Sequence, residues 1–222
     1  MATADDCYPQ LGVCRTRVAS LDTDGTILGG TTEYVSDALL KATIKPNYEN
    51  GDEIKEKNGC GDIYIDFKGA DSLLWYDVEL EFLSPDPYLM SLLVPLSNLI
   101  TVSGPTVGWA APAIGSQSAN GVSLELYTKR AKGGALSQTF PYAHHAFPFL
   151  QNMRLSDRTL DANAQHAIVT GQAVENANWF NGPGDDWPLD DGHGGYLTRA
   201  WKWIPVATLP TAQCGPVSDV GS

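Results

Sequence analysis

The chain has 222 residues, 43% of them hydrophobic and 9% aromatic, which is enough to bury one sizeable core and excludes a disordered tail. Its 26 acidic against 14 basic residues give a formal charge of -12, which repels phosphate and speaks against a chain that grips nucleic acid. No window approaches the ~18 uncharged apolar residues of a membrane helix, and the longest candidate, 92–102, is interrupted by Pro95 and Asn98.

The first six residues, Met1 to Asp6, lack the basic and apolar regions of a secretory signal, so the chain is expected to be made in a cytoplasm and to stay soluble there. Cys7, Cys14, Cys60 and Cys214 show no C-x-x-C spacing. Free thiols are the favoured reading, with a Cys7–Cys14 disulfide or a zinc site as alternatives. A first strand is predicted over 13–21, followed by Asp22-Thr23-Asp24-Gly25. That phrase opens like a calcium loop but lacks the later bidentate Glu, and a hairpin turn is preferred. After a strand over 39–45 comes a long polar stretch, 46–61, containing Asn50-Gly51, Asp52-Glu53, Lys55-Glu56-Lys57 and Asn58-Gly59. A loop of this length is uncommon in a compact domain unless it has a task.

Two strictly alternating runs follow. Asp62-Ile63-Tyr64-Ile65-Asp66-Phe67 places Ile63, Ile65 and Phe67 on one face, and Tyr76-Asp77-Val78-Glu79-Leu80-Glu81-Phe82 repeats the pattern. A helix is predicted from Ser84 as N-cap, with Pro85 and Asp86 in its first turn. Tyr88, Leu89, Leu92 and Leu93 form its apolar stripe, and Pro95 ends it. Asn120-Gly121 opens a third alternating run, Val122-Ser123-Leu124-Glu125-Leu126-Tyr127, and the basic segment Lys129-Arg130-Ala131-Lys132 follows. Further strands are predicted over 139–147, 152–160, 166–174 and 196–204, for about nine in all. His144 and His145, adjacent on a strand, point to opposite faces and do not converge on one centre. Asp185, Asp186, Asp190, Asp191 and His193 form an oxygen-rich loop, read as exposed and acidic with a cation site as the sharper alternative.

These elements predict a single mainly β domain over 1–222, an antiparallel β-sandwich or open barrel with one short α-helix. Its core spans about 12–205, with 206–222 as a C-terminal extension. No nucleophile elbow, zinc-protease helix or phosphate loop occurs, no acid–base pair is nominated, and no cofactor is expected. Three strands present carboxylates with no Lys or Arg inside the runs. Between Gly69 and Thr128 there are six acidic and no basic residues. That face is either an ordinary acidic exterior or the lining of something negative that must not stick. The tryptophans Trp75, Trp109, Trp179, Trp187, Trp201 and Trp203 suit a core or subunit interface, with a carbohydrate-binding module as the reading from another class.

Several phrases, in their order and spacing, carry a resemblance: Gly51-Asp52-Glu53 through Asn58-Gly59-Cys60-Gly61, then Ser84-Pro85-Asp86-Pro87, then Asn120-Gly121-Val122-Ser123-Leu124-Glu125. Pro141-Tyr142, Phe147-Pro148, Glu175-Asn176-Ala177-Asn178-Trp179 and Gly182-Pro183-Gly184-Asp185-Asp186-Trp187-Pro188 continue it. Together they resemble the major tail tube proteins of long-tailed bacteriophages, siphoviruses, of actinobacteria. The resemblance implies a non-enzymatic virion subunit, assembled in the host cytoplasm, that forms hexameric rings stacked into a tube. It implies a tape-measure protein and a tail terminator as partners, with genomic DNA passing through unbound and no membrane insertion. Asp62, Tyr64, Asp66, Asp77, Glu79, Glu81 and Glu125 would then face the lumen, where every lysine would be a binding site for DNA. Asn50, Gly51, Asp52, Glu53, Lys55, Lys57 and Asn58 would form an assembly loop, and Lys129, Arg130 and Lys132 a second arm meeting an acidic neighbour. A head–tail completion or tail terminator ring protein is the alternative within the same class.

Overall fold

The computed structural model describes residues 8–26, 28, 33–83, 86–116, 118–156, 166–178 and 199–212. In chain order the elements are β1 (Gln10–Leu21), β2 (Glu33–Ser36), β3 (Leu39–Glu49), β4 (Glu53–Lys57), β5 (Ile63–Lys68), β6 (Ser72–Phe82), α1 (Pro87–Leu93), β7 (Asn98–Thr101), β8 (Thr106–Ala110), β9 (Gly121–Lys132), β10 (Ala135–Leu136), β11 (Tyr142–Leu155), β12 (Ala167–Val174) and β13 (Lys202–Val206). All pairings are antiparallel. The main sheet runs β2-β1-β9-β11-β12-β6-β3, with β10 on β9 and β13 on β11, while β4–β5 and β7–β8 form separate two-stranded ribbons. β3 comes back beside β1, so the sheet curls around its own core. The expected mainly β, antiparallel fold with one short helix is the observed one.

Alternation explains the main strands. On β6, Val78, Leu80 and Phe82 are buried while Glu79 between them is exposed, the mark of a strand with one wet face. Those three side chains join Val18, Leu124, Leu126, Phe147, Leu150 and Val169 in one cluster, and Leu89, Met90 and Leu93 of α1 close it. The helix begins two residues later than expected. Asp86, not Ser84, is the N-cap, its side chain accepting from the amides of Tyr88 and Leu89, and Pro87 takes the first helical position. Ser84 and Pro85 lie outside the described residues.

β11 is one long strand where two were expected, over 139–147 and 152–160. It changes partners midway: Tyr142 to Ala146 pair with β13, and Phe149 to Leu155 with β12. A bulge near Asn152, whose φ is 54°, bends it there. β12 accommodates that bend because Gly171 has no Cβ; one added there would lie 2.1 Å from the Met153 sulfur.

Candidate assembly surfaces

The wet face of β6 is the first surface. Asp77, Glu79 and Glu81 project from it, and the register sets Lys45, Thr43 and Lys41 of β3 opposite them on one side and Gln172, Thr170 and Ile168 of β12 on the other. The wall is therefore mixed in sign, which corrects the expectation of an all-acidic face: the lysines were in a neighbouring strand. Asp77 accepts from Trp75 Nε1 at 2.9 Å and Asn47 Nδ2 at 3.4 Å. Glu81 lies 2.6 Å from His166 Nδ1. Arg154 of β11 donates to Thr170 at 3.4 Å, and Asn152 to Gln172 at 2.7 Å. Glu79 alone of the three carboxylates faces uncharged threonines on both sides. An open groove of about 1200 Å³ borders this wall and reaches Pro95, Leu96, Trp109 and Pro112.

Glu125 does not belong to any exposed wall. It is 1% exposed, because β9 is covered on both faces from Gly121 to Tyr127. Its carboxylate accepts from Tyr127 Oη at 2.6 Å, lies 3.0 Å from His144 Nε2 and sits 3.6 Å from Arg17 Nε. Arg17 also binds Glu33 at 2.8 Å. Burial works against charge on Arg17, yet the Glu125 and Glu33 carboxylates outweigh it and hold the guanidinium above its ordinary pKa. His144 stacks on the Tyr127 ring at 4.6 Å. Glu125 and His144 are sealed from solvent while Arg17 and Glu33 reach its edge, so the cluster ties β1, β9 and β11 together.

Residues 46–61 are not an irregular loop. β3 continues to Glu49, and the chain then enters an arm formed by β4 and β5. The arm's register pairs Glu53 with Lys68, Ile54 with Phe67, Lys55 with Asp66, Glu56 with Ile65 and Lys57 with Ile63. Ile54, Ile63, Ile65 and Phe67 thus share one face, and it is exposed, not part of the core. The other face carries Tyr64, 80% exposed, and the ion pairs of Lys55 with Glu53 and Asp66. Asp62 helps close the tip, where Asn58 Oδ1 accepts from the amides of Cys60 and Asp62 at 3.0 and 2.9 Å. Asp62, Tyr64 and Asp66 therefore lie on a different sheet from Asp77, Glu79 and Glu81. At the neck, the Gly51 amide donates to Asp71 at 3.0 Å and the Gly69 amide to the Asp52 carbonyl at 2.8 Å. The Gly51 amide, followed by Lys68, holds the Asp71 carboxyl below its usual range.

The basic segment is no free arm either. Lys129, Arg130 and Lys132 lie on β9, which turns through Gly133 and Gly134, at φ 61° and 83°, into β10. Arg130 is buried, with Nη1 donating to the Phe140 carbonyl at 3.1 Å and its guanidinium 6.0 Å from the Tyr8 ring. Lys129 and Lys132 remain at the surface.

The other candidate chemistry resolves into packing. Asp22 and Asp24 cap their own turn: Asp22 accepts from the Thr23 amide at 2.6 Å, and Asp24 from the Thr26 amide and hydroxyl at 2.9 and 2.7 Å. The buried Asn176 clamps that turn, donating to the Gly25 carbonyl at 2.9 Å. His144 and His145 do point apart. His145 accepts at Nδ1 from Trp201 Nε1 at 3.4 Å and meets Gln10 Oε1 through Nε2 at 2.7 Å, an arrangement that needs the neutral ring. Burial, helped by neighbouring His144, pushes its pKa down to about 4. Trp201 packs on Tyr76, His145 and Phe147 and so offers no sugar platform. Trp203 is 51% exposed. Cys14 donates to the Tyr127 carbonyl, and Cys60 is exposed at the arm tip. Cys7, Cys214, Trp179, Trp187 and the 185–193 loop lie outside the described residues.

Sequence reasoning missed β2, β4, β7, β8 and β10, and with them the exposed Ile54 of the arm and Ile100, Val102 and Val107 on and beside the second ribbon. A usable signal was the Ser103-Gly104-Pro105 turn between two short β-branched runs. No protein-family model and no curated protein sequence matches the chain.

Proposed function

We propose that this chain is a structural subunit that assembles with copies of itself into rings stacked as a phage tail tube. The observation that carries the reading is the β4–β5 arm, a ribbon standing off the main sheet with Ile54, Ile63, Ile65 and Phe67 exposed together. An isolated hairpin is marginal in water, and an exposed apolar patch on a subunit is the mark of a partner surface. The β6 wall supports the conduit part of the reading: it is polar and repeated in every copy, and Glu79 stands on it without a cation opposite. In this reading DNA passes the wall unbound, and a tape-measure protein and a terminator are the partners in the virion tail.

Negative-stain microscopy of the concentrated protein tests it. Long stacked tubes are the expected result. Lone rings would point instead to a terminator or head–tail completion protein, and monomers at every concentration would sink both.

A further inference from the structure

Asn-Gly pairs occur in the chain at 50–51, 58–59, 120–121 and 181–182, the last of them outside the described residues. They share a chemistry. The glycine amide nitrogen, with no Cβ beside it to hinder approach, can attack the carbonyl carbon of the asparagine side chain and close a five-membered ring. The fold treats the three described pairs differently. At Asn50 the Gly51 amide is engaged, donating to Asp71 at 3.0 Å, and the Gly69 carbonyl oxygen lies 2.2 Å from where a Cβ would stand on Gly51. At Asn120 the glycine is buried in β9, with the Phe149 ring 2.4 Å from the corresponding point. Neither peptide can swing toward its asparagine side chain unless the neck or the sheet opens locally.

Asn58-Gly59 has none of these restraints. Both residues are exposed at the arm tip, and a Cβ on Gly59 would meet nothing within 4 Å. Among the described residues no group accepts from the Gly59 amide, so the nucleophile is unengaged. The electrophile is held in place instead. Asn58 Oδ1 accepts from the amides of Cys60 and Asp62 at 3.0 and 2.9 Å. Both donors follow Gly59 in the chain, so the side-chain amide is folded over the Gly59 peptide. Two N–H groups on its oxygen draw electrons from Cγ and stand where negative charge develops during attack. Nδ2, the departing group, donates to the Asp62 carboxylate at 3.4 Å.

We infer that Asn58 is a self-modification site, converted through a cyclic imide with Gly59 into aspartate and isoaspartate. Gly59 N gives its proton to water or hydroxide and bonds to Asn58 Cγ. The Cγ–Nδ2 bond breaks, and the NH2 group takes a proton from water and leaves as ammonia. Water then adds to one imide carbonyl and reopens the ring, with nothing oxidised or reduced. Attack at Cγ gives aspartate on the original backbone. Attack at the backbone carbonyl gives isoaspartate, whose chain runs through the former side chain and is longer by one methylene. Either product puts a new carboxylate at the tip beside Asp62, where like charges repel in place of the earlier hydrogen bond. The inference is independent of the assembly reading.

Ageing the full chain at neutral pH tests this, folded in buffer and unfolded in guanidinium chloride. Peptide mass spectrometry reads the replacement of NH2 by OH at each asparagine, and an isoaspartate-specific methyltransferase reads the rearranged product. Dividing each folded rate by its own unfolded rate removes the effect of the Asn-Gly motif itself. Asn58 should convert in the folded protein at its unfolded rate or faster. Asn50 and Asn120 should convert roughly 10-fold more slowly than when unfolded, because they react only through local opening. Gly59→Ala, whose Cβ stands in open space, should keep the wild-type circular dichroism and slow conversion at Asn58. Asn58→Gln, which would need a six-membered ring, should abolish it. Slower conversion of Asn58 in the folded protein than in the unfolded chain overturns the inference, as does Asn50 or Asn120 keeping pace with it. Aspartate formed without isoaspartate, or a rate that Gly59→Ala leaves unchanged, overturns the ring step.

Discussion

The carbonyl oxygen of Gly69 lies 2.2 Å from the point where a Cβ would stand on Gly51. That separation is shorter than any real contact, and the obstacle is backbone, so the neck of the arm closes only around a glycine. Gly51→Ala is expected to reorient or loosen the arm while the main sheet melts within ~0.5 kcal/mol of wild type, since no arm residue belongs to the core. Sedimentation should then show weakened association. Gly59→Ala, where a Cβ meets open space, is the control, and equal association of both variants would show that arm direction is irrelevant.

Glu125 is expected to be the most sensitive charged position. Glu125→Ala leaves Arg17, Tyr127 and His144 around a vacated carboxylate and should destabilise by about 3–5 kcal/mol, the loss seen when one partner of a buried pair is removed. Glu125→Gln keeps the shape and some of the hydrogen bonds and should cost less. Urea denaturation measures both; an alanine variant within ~1 kcal/mol of wild type would show that the cluster contributes little to the fold.

His145 makes stability depend on pH in a definite direction. Its folded pKa of about 4 is below the ordinary 6.5, so between these values the unfolded chain binds the proton and the folded one does not. Stability therefore falls as pH drops from 6.5 to 4, by about 1–3 kcal/mol after allowing for partial exposure. His145→Gln should flatten that part of the profile, read from thermal melting between pH 4 and 7. An unchanged slope would assign the acid sensitivity elsewhere.

Trp201 and Trp203 should separate sharply. Trp201, packed on three rings, should cost about 3 kcal/mol as alanine. Trp203→Ala should cost under ~1 kcal/mol, because half of the side chain is already wet. Chemical denaturation of the two variants reverses this if the strand seats differently.

Glu79→Lys would remove the one wall carboxylate without a cation opposite it and join Lys41 and Lys45 on the same face. Folding should change by no more than ~0.5 kcal/mol. In phage carrying the substitution, tails of normal length should form but eject DNA slowly, with relief as salt screens the new phosphate contacts. Wild-type ejection at low salt would put this face outside the conduit.

β6 was readable from sequence because Val78, Leu80 and Phe82 alternate with carboxylates and the apolar set is indeed covered. β5 has the same alternation, yet Ile63, Ile65 and Phe67 are exposed. Periodicity tells which side chains share a face, and says nothing about what covers it. Glu125 obeyed the same pattern as Glu79 and was buried for a reason no local window contains: Arg17 and His144 arrive from strands distant in the chain. The mixed sign of the wall was hidden likewise, since Lys41 and Lys45 are set against Glu81 and Asp77 by register alone. The first strand of the arm reads as a polar stretch because Lys55, Glu56 and Lys57 mask its single apolar residue, Ile54.

The pairing of β1 with β9, in which Gln10 meets Arg130, bears on how the chain is made. On a ribosome the central sheet cannot begin to close until β9 has emerged, and non-local pairing of this kind folds in milliseconds to seconds. The two ribbons, β4–β5 and β7–β8, join neighbours in sequence and can form within ~10 microseconds. Both ribbons, with their exposed apolar side chains, thus exist on nascent chains before the main sheet that carries them has closed. Crowded polysomes would invite premature contact, and the lysines at 55, 57 and 68 on the arm strands are suitably placed as gatekeepers against it. Replacing them with neutral residues should leave the mature protein folded yet send more of the newly made chain into inclusion bodies.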